Sequence, residues 1–356
     1  MASLFEIGKS GVQAYRQALS VTGQNIANVN TEGYNKRAAD LEEVPSVQGG
    51  VTNVPDQSGL GVRVNQIRRS FDAFLSSNLR DTNGNYERLD VYVEKLNKLE
   101  NMLLPSDSDL GTFIGRFFSS LQDVASRPDE LSARTVALEN GKALANSFNN
   151  YDNQLKNFKS STHKEVEDDL KVVNSLVDQL AQINKLIMSG GSKNSSPDIL
   201  DARDQLLLDL SKYINFTVDY GDSNDAIVRL GNSGNGKILL EKTNNSILLS
   251  DIQDGRLIFK ISKNALTSIN NDISSGLLFG AKNFYDFVGE VESEINQLAL
   301  RLSQNFNEIQ QNGIDLNGKK GLSMFSINSM KPNIQQNVGG FDVDMIVGNE
   351  NIINQE

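Results

Sequence analysis

Leu131 to Met188 reads LSARTVALENGKALANSFNNYDNQLKNFKSSTHKEVEDDLKVVNSLVDQLAQINKLIM, a run without proline that only Gly141 interrupts. As one helix it would extend about 85 Å at 1.5 Å per residue. Val166, Val173, Leu176, Leu180, Ile183 and Ile187 recur at helical spacing and form a strong apolar seam towards its end. Between Asp152 and Asp169 polar residues occupy seam positions, which predicts a bend or break there. The stretch decides the fold class: mainly α, an elongated helical bundle with coiled-coil-like seams, joined by a small antiparallel β portion.

Flanking segments extend the pattern. Leu89, Tyr92, Leu96, Leu99 and Leu103 form a heptad seam stopped by Pro105. Leu110 to Ser126 makes a further helix with Ile114, Phe117, Leu121 and Val124 inward, ended at Arg127-Pro128. Ser189-Gly190-Gly191-Ser192 reads as a flexible turn. Ser196 as N-cap and Pro197 at the first position open another helix, along which Leu200, Leu207, Leu210 and Ile214 lie. The last helix, about Ala281 to Gln311, carries Val288, Val291, Ile295, Leu298, Leu302 and Ile309, with Asn305 expected as a buried register-fixing entry. Between these helices, residues 216 to 261 alternate short apolar runs with Gly/Asn/Asp clusters, the pattern of a small antiparallel meander.

The chain's beginning differs. From about Ser3 to Asn28, Leu4, Ile7, Gly11, Ala14, Ala18 and Val21 alternate spacings of three and four. Small residues on a seam admit a close neighbour and bury too little area to hold a lone helix. The seam therefore packs either on this chain's own core or, the favoured reading, against other subunits. Asn25, Ile26, Ala27, Asn28, Thr31, Gly33 and Tyr34 follow, a density of Asn and Gly that ends the helix. Residues 35 to 70 then read as extended or irregular chain. The expected organisation is an N-terminal helix with its extended segment (1–70), a long-helix bundle (71–215 with 265–312), a β meander (216–264) and an irregular segment (313–356).

Composition excludes several functions. Among the 356 residues there is no Cys and one His, so thiolate metal sites, disulfides, Cys nucleophiles and the common triads have little to work with. His163 is followed four residues on by Glu167, so the two-His zinc helix is absent, and a solvated helix residue is expected there. A net charge of −11 repels phosphate backbones, which argues against nucleic acid as a partner. No apolar run approaches the roughly 20 residues that span a bilayer, so no membrane partner is expected. Gly231 to Gly236 lacks the Lys-Ser/Thr and helix of a phosphate loop. Asp315 and Asn317 lack the later acidic positions of a calcium loop and read as a turn. No catalytic, cofactor or metal site is expected.

Ser10-Gly11-Val12-Gln13-Ala14, Gln24-Asn25-Ile26-Ala27-Asn28 and Thr31-Glu32-Gly33-Tyr34-Asn35-Lys36-Arg37 together resemble the N-terminal signature of the flagellar axial family, the rod, hook and hook-associated proteins. Phe71 to Arg80, Phe117-Phe118-Ser119-Ser120-Leu121-Gln122 and Leu200-Asp201-Ala202-Arg203-Asp204-Gln205-Leu206 resemble the hook-associated branch. Hook and rod proteins normally lack the last two blocks. Together these resemblances span most of residues 3 to 312.

The resemblance implies a structural, extracellular protein of the bacterial flagellum, joining hook to filament. It implies export through the flagellar type III apparatus without a cleaved signal peptide. The implied partners are copies of itself in a ring, hook protein on one side, and the next hook-associated protein or flagellin on the other. The family also implies an export chaperone bound to a C-terminal segment. That segment and the long helix within it are not found before Glu356, so a truncated chain is expected. The alternatives are another axial protein, hook or rod, and a secreted coiled-coil effector or adhesin.

Overall fold

A computed structural model describes residues 4–44, 61–104, 109–190, 196–262, 266–315, 318–329 and 341–345. Its helices are α1 (Leu4–Ala27), α2 (Ala73–Leu103), α3 (Leu110–Ser126), α4 (Leu131–Gly190), α5 (Pro197–Tyr213) and α6 (Leu277–Asn312). Its strands are β1 (Arg37–Glu43), β2 (Val62–Arg69), β3 (Phe216–Tyr220), β4 (Ala226–Leu230), β5 (Ile238–Glu241), β6 (Asn244–Asn245), β7 (Ile247–Gln253), β8 (Arg256–Ser262), β9 (Leu266–Ser268), β10 (Phe325–Ser329) and β11 (Phe341–Met345). The mainly α class with a small antiparallel portion holds. The chain divides into two compact units, one of residues up to Asn83 with Ser175–Ser246, the other of Gly84–Asn174 with Ile247 onward.

In the first unit α1 lies on the β1–β2 hairpin. The segment expected to be merely extended is thus a paired ladder, running from Arg37↔Arg69 to Glu43↔Val62 with a register shift after Asp40. The prolines and Gly pair between its strands fall outside the described residues. The final part of α4, all of α5 and the antiparallel sheet β3-β4-β5-β6 belong to this same unit. Val177, Leu180, Ile187, Leu207, Leu210, Ile214, Val228, Leu230 and Leu239 are all fully buried there. Pro197 begins α5 as expected. The Ser196 hydroxyl caps no backbone N–H, because it turns instead to Asp198 Oδ2 at 3.3 Å.

The second unit holds the rest of α2 and α4 with α3, α6 and two further sheets, β7-β8-β9 and β10-β11. The stretch expected as one meander is therefore two separate sheets, divided between Ser246 and Ile247. The segment after residue 313, expected to be irregular, contributes the antiparallel pair β10–β11. Gly191 and Ser192 of the expected flexible turn lie outside the described residues.

No break occurs between Asp152 and Asp169; α4 is continuous. One polar seam position, Lys159, is instead paired inside the unit. Lys159 Nζ meets Glu292 Oε2 of α6 at 2.9 Å, and both side chains are nine-tenths buried. A like correction applies to α6. Val288 is fully buried, yet Leu298 is 45% exposed and Ile309 and Asn305 face solvent. On a helix of 3.6 residues per turn Leu298 sits about 80° round from Val288, while Ala299 sits only about 20° away. Ala299 accordingly enters the core formed with Phe117, Leu144, Ala145, Phe148 and Phe325. Asn307 makes the polar contact expected of Asn305, donating to Phe325 C=O and accepting from the N–H groups of Met324 and Phe325.

Candidate assembly interface

The site is built from the N-terminal helix outward. Ala14 and Val21 are buried, and Ile7, Gly11 and Ala18 half-buried, on the face of α1 that meets the hairpin. Leu4 is exposed. The seam that sequence favoured for neighbouring subunits thus has an occupant within the chain, a hairpin that periodicity did not reveal. A side chain at Gly8, Gly11 or Gly23 would meet no atom of the chain within 4 Å.

Where α1 ends, the Asn-rich motif turns the chain into β1. Asn25 Nδ2 donates to Arg37 C=O at 2.8 Å, and its Oδ1 accepts from Arg37 N–H and the Tyr34 hydroxyl, each at 2.9 Å. Asn28 Nδ2 donates back to Gln24 C=O, and Thr31 Oγ1 donates to Asn28 Oδ1. Ile26, Ala27, Thr31 and Gly33 are exposed. Gly33 has φ 76° and lies so close to α5 that a Cβ would stand 2.7 Å from Gln205 Oε1. The positive φ selects glycine, while the Gln205 amide could swing aside for a methyl group.

The hairpin is joined to α5 by charge. Arg37 Nη2 meets Asp198 Oδ1 at 2.6 Å and Asp201 Oδ2 at 3.0 Å. Arg69 Nη1 meets Asp201 Oδ1 at 2.9 Å and Asp204 Oδ2 at 2.6 Å. Asn35 Nδ2 adds a bond to Asp201 Oδ1 at 2.8 Å. Asp204 also accepts from Arg203, whose Nη1 reaches Asn224 C=O at 2.9 Å. Aromatic rings face three of these cations: Tyr34 at 4.8 Å from Arg37, Phe71 at 4.5 Å from Arg69 and Tyr220 at 4.5 Å from Arg203. Burial works to lower the Arg37 pKa, but its bonds to Asp198 and Asp201 outweigh it and the net direction is upward. Arg80, buried beside Phe216, is driven downward by desolvation. Burial raises Tyr220, with Arg203 pulling the other way.

Opposite the hairpin, α1 carries a second apolar face. Phe5, Val12, Leu19 and Ile26 stand seven residues apart and are 76%, 62%, 72% and 70% exposed. Tyr15 and Val29, three residues after Val12 and Ile26, are also exposed. This is a heptad stripe. The signal was present in the sequence, hidden because the first seam was taken as the only one.

Other candidate residues contribute no site. His163 is half-buried on α4 with Nε2 3.9 Å from Glu167, rather than solvated. Asp315 closes a turn through Lys319 N–H, and Asn317 is outside the described residues. Among the described residues no group of three or more His, Asp or Glu could hold a metal ion. No described helix is long and apolar enough to cross a membrane.

The class is that of a mainly helical protein with an uncovered apolar helix face held on a charged, hydrogen-bonded mount. Residues 96–325 match the family "Flagellar hook-associated protein FlgK helical domain" and residues 5–35 match "Flagella basal body rod protein". The chain is 28% identical to flagellar hook-associated protein 1 of Bacillus subtilis, over 90% of this chain and 69% of that protein. Identity to the same protein of Salmonella typhimurium is also 28%, over 92% of this chain and 60% of the relative. The fold resembles that of the flagellar hook junction protein FlgK from Burkholderia pseudomallei, with a TM-score of 0.65 and 22% identity across 71% of this chain and 47% of that one. The chain belongs to the flagellar hook-associated protein family, whose members are structural components of the bacterial flagellum.

Proposed function

We propose that this chain is a non-enzymatic structural subunit joining hook to filament. It assembles as a ring of copies, with hook protein on one side and a further hook-associated protein or flagellin on the other. It reaches the cell exterior through the flagellar type III apparatus without a cleaved signal. The observation that carries the reading is the exposed heptad stripe Phe5, Val12, Leu19 and Ile26 on a helix mounted by its opposite face. Such a stripe is costly in water and is buried by close packing of helices between subunits. The match across residues 96–325 favours the junction over a hook or rod role. An export chaperone acting on a C-terminal segment belongs to the same proposal.

The test is complementation with the full-length gene in a strain lacking its own junction protein. Attached filaments and restored swimming are expected. Secreted chain with filament protein shed into the medium would overturn the junction role.

A further inference from the structure

We propose that Asp201 is a positioning residue: its carboxylate fixes the N-terminal helix and hairpin on α5 so that the exposed stripe of α1 meets its neighbours in one orientation. The inference rests on the assembly role proposed above, and extends it by pairing two sequence motifs that lie far apart in the chain.

Arg37 and Arg69 are directly opposite each other in the β1–β2 register. Like charges in that position repel. Asp201 stands between them, its Oδ2 bonded to Arg37 at 3.0 Å and its Oδ1 to Arg69 at 2.9 Å. The same Oδ1 takes Asn35 Nδ2 at 2.8 Å. One buried carboxylate therefore binds the first strand, the second strand and the turn leading into them. Arg37 passes that constraint to α1, because its backbone N–H and C=O are both held by Asn25. Asp198 touches only Arg37 among these groups, and its side chain is 74% exposed. The two carboxylates, one turn apart on α5, thus have unequal duties.

The experiment compares Asp201→Asn with Asp198→Asn in the full chain. Hydrogen exchange reports on α1, β1 and β2, with β3–β6 as internal reference, and filament retention is scored in the complemented strain. Asp201→Asn leaves Arg37 to the exposed Asp198 and Arg69 to Asp204, but removes the one charge that bridges the two facing guanidiniums, so exchange of α1 and the hairpin should rise about 10-fold or more, with β3–β6 unchanged. Filaments should be shed. Asp198→Asn should alter exchange by less than about 2-fold, because the Asp198 carboxylate lies largely in water and Arg37 keeps Asp201.

Equal exchange in Asp201→Asn and the parent would overturn the proposal. So would loosened exchange with filaments fully retained, because position would then not matter to assembly. If Asp201→Asn also loosens β3–β6, Arg69→Gln decides. That change lies on the hairpin, and it must loosen α1 and the hairpin alone for the proposal to stand. Failure of the parent gene to restore filaments would remove the junction reading, while the exchange results would still judge the anchor.

Discussion

Asn25 treats Arg37 as an adjacent β-strand would, donating to its carbonyl at 2.8 Å and accepting from its N–H at 2.9 Å. The device recurs at three further places among the described residues where a helix meets a strand. Asn174 of α4 pairs in the same two directions with Leu248. Asn184 of α4 does so with Ala226, and Asn307 of α6 with Phe325. A backbone amide and carbonyl at a sheet edge must be satisfied once water is excluded. A helix asparagine satisfies both with one side chain, and fixes the register between helix and sheet.

Asn184 is the strictest case, being fully buried. Its Nδ2 donates to Ala226 C=O and Lys242 C=O, each at 2.8 Å, while its Oδ1 accepts from Ala226 N–H. Asn184→Ala leaves these groups unpaired away from water, and the expected loss is about 2–4 kcal/mol. Urea unfolding checks it. A loss below about 1 kcal/mol would mean that water or a shifted strand replaces the side chain.

The Lys159–Glu292 pair gives a prediction of opposite signs. Burying two charges costs about as much as their attraction returns, whereas removing one leaves the other uncompensated. Glu292→Leu alone should destabilise by about 3–5 kcal/mol, while Lys159→Met with Glu292→Leu should fall within about 1 kcal/mol of the parent or above it. Thermal or urea melts of the three proteins decide. If the double variant is as weak as the single one, the pair contributes net stability here.

The contrast shows which information the sequence carried. α3 was legible to the residue, from Leu110 to Ser126, because its boundaries are set locally by Asp109 as N-cap and by the Arg127-Pro128 step. Lys159 was legible only as a flaw in a seam, since its partner Glu292 is far along the chain. The same limit governed the site. The Asn-rich motif and the Leu200-to-Leu206 block could each be recognised alone. That Arg37 and Arg69 reach Asp201 depends on a hairpin whose strands alternate too weakly to announce themselves. Leu298 failed for a geometric reason, a heptad extrapolated along a straight helix.

Asp169 supplies a pH dependence. Burial, reinforced by Glu165, moves its pKa from the ordinary 3.8 up to about 6. A raised carboxylate pKa means that the folded state prefers the proton. Stability is therefore undiminished below about pH 4, falls as pH rises between about 4 and 6, and stays reduced above. The group is partly exposed, so after allowance for screening the penalty is about 1 kcal/mol. Asp169→Asn should remove it, raising stability by that amount at pH 7.5 and leaving it unchanged at pH 3.5. A gain of equal size at both pH values would point to a cause other than ionisation.

The two faces of α1 separate folding from assembly. Val21 is buried against the hairpin, so Val21→Asp places a charge in an apolar contact and should release the helix from its mount. Leu19, two residues earlier, is 72% exposed. Leu19→Asp should leave the melting temperature and the hydrogen exchange of α1 in the isolated chain unchanged, because the side chain is in water before and after. In the ring proposed above, that position would be enclosed by apolar neighbours, and every copy would carry the same uncompensated charge. Gly11→Ala sharpens the comparison. Alanine should stabilise the isolated helix by about 0.5–1 kcal/mol, since its methyl group meets no atom of the chain within 4 Å. The expected outcome in complemented cells is secretion of all three variants, with filaments lost for Val21→Asp and Leu19→Asp. Firmly attached filaments in the Leu19→Asp strain would show that the exposed stripe is not a subunit contact, and the junction would have to be built from another surface of the chain.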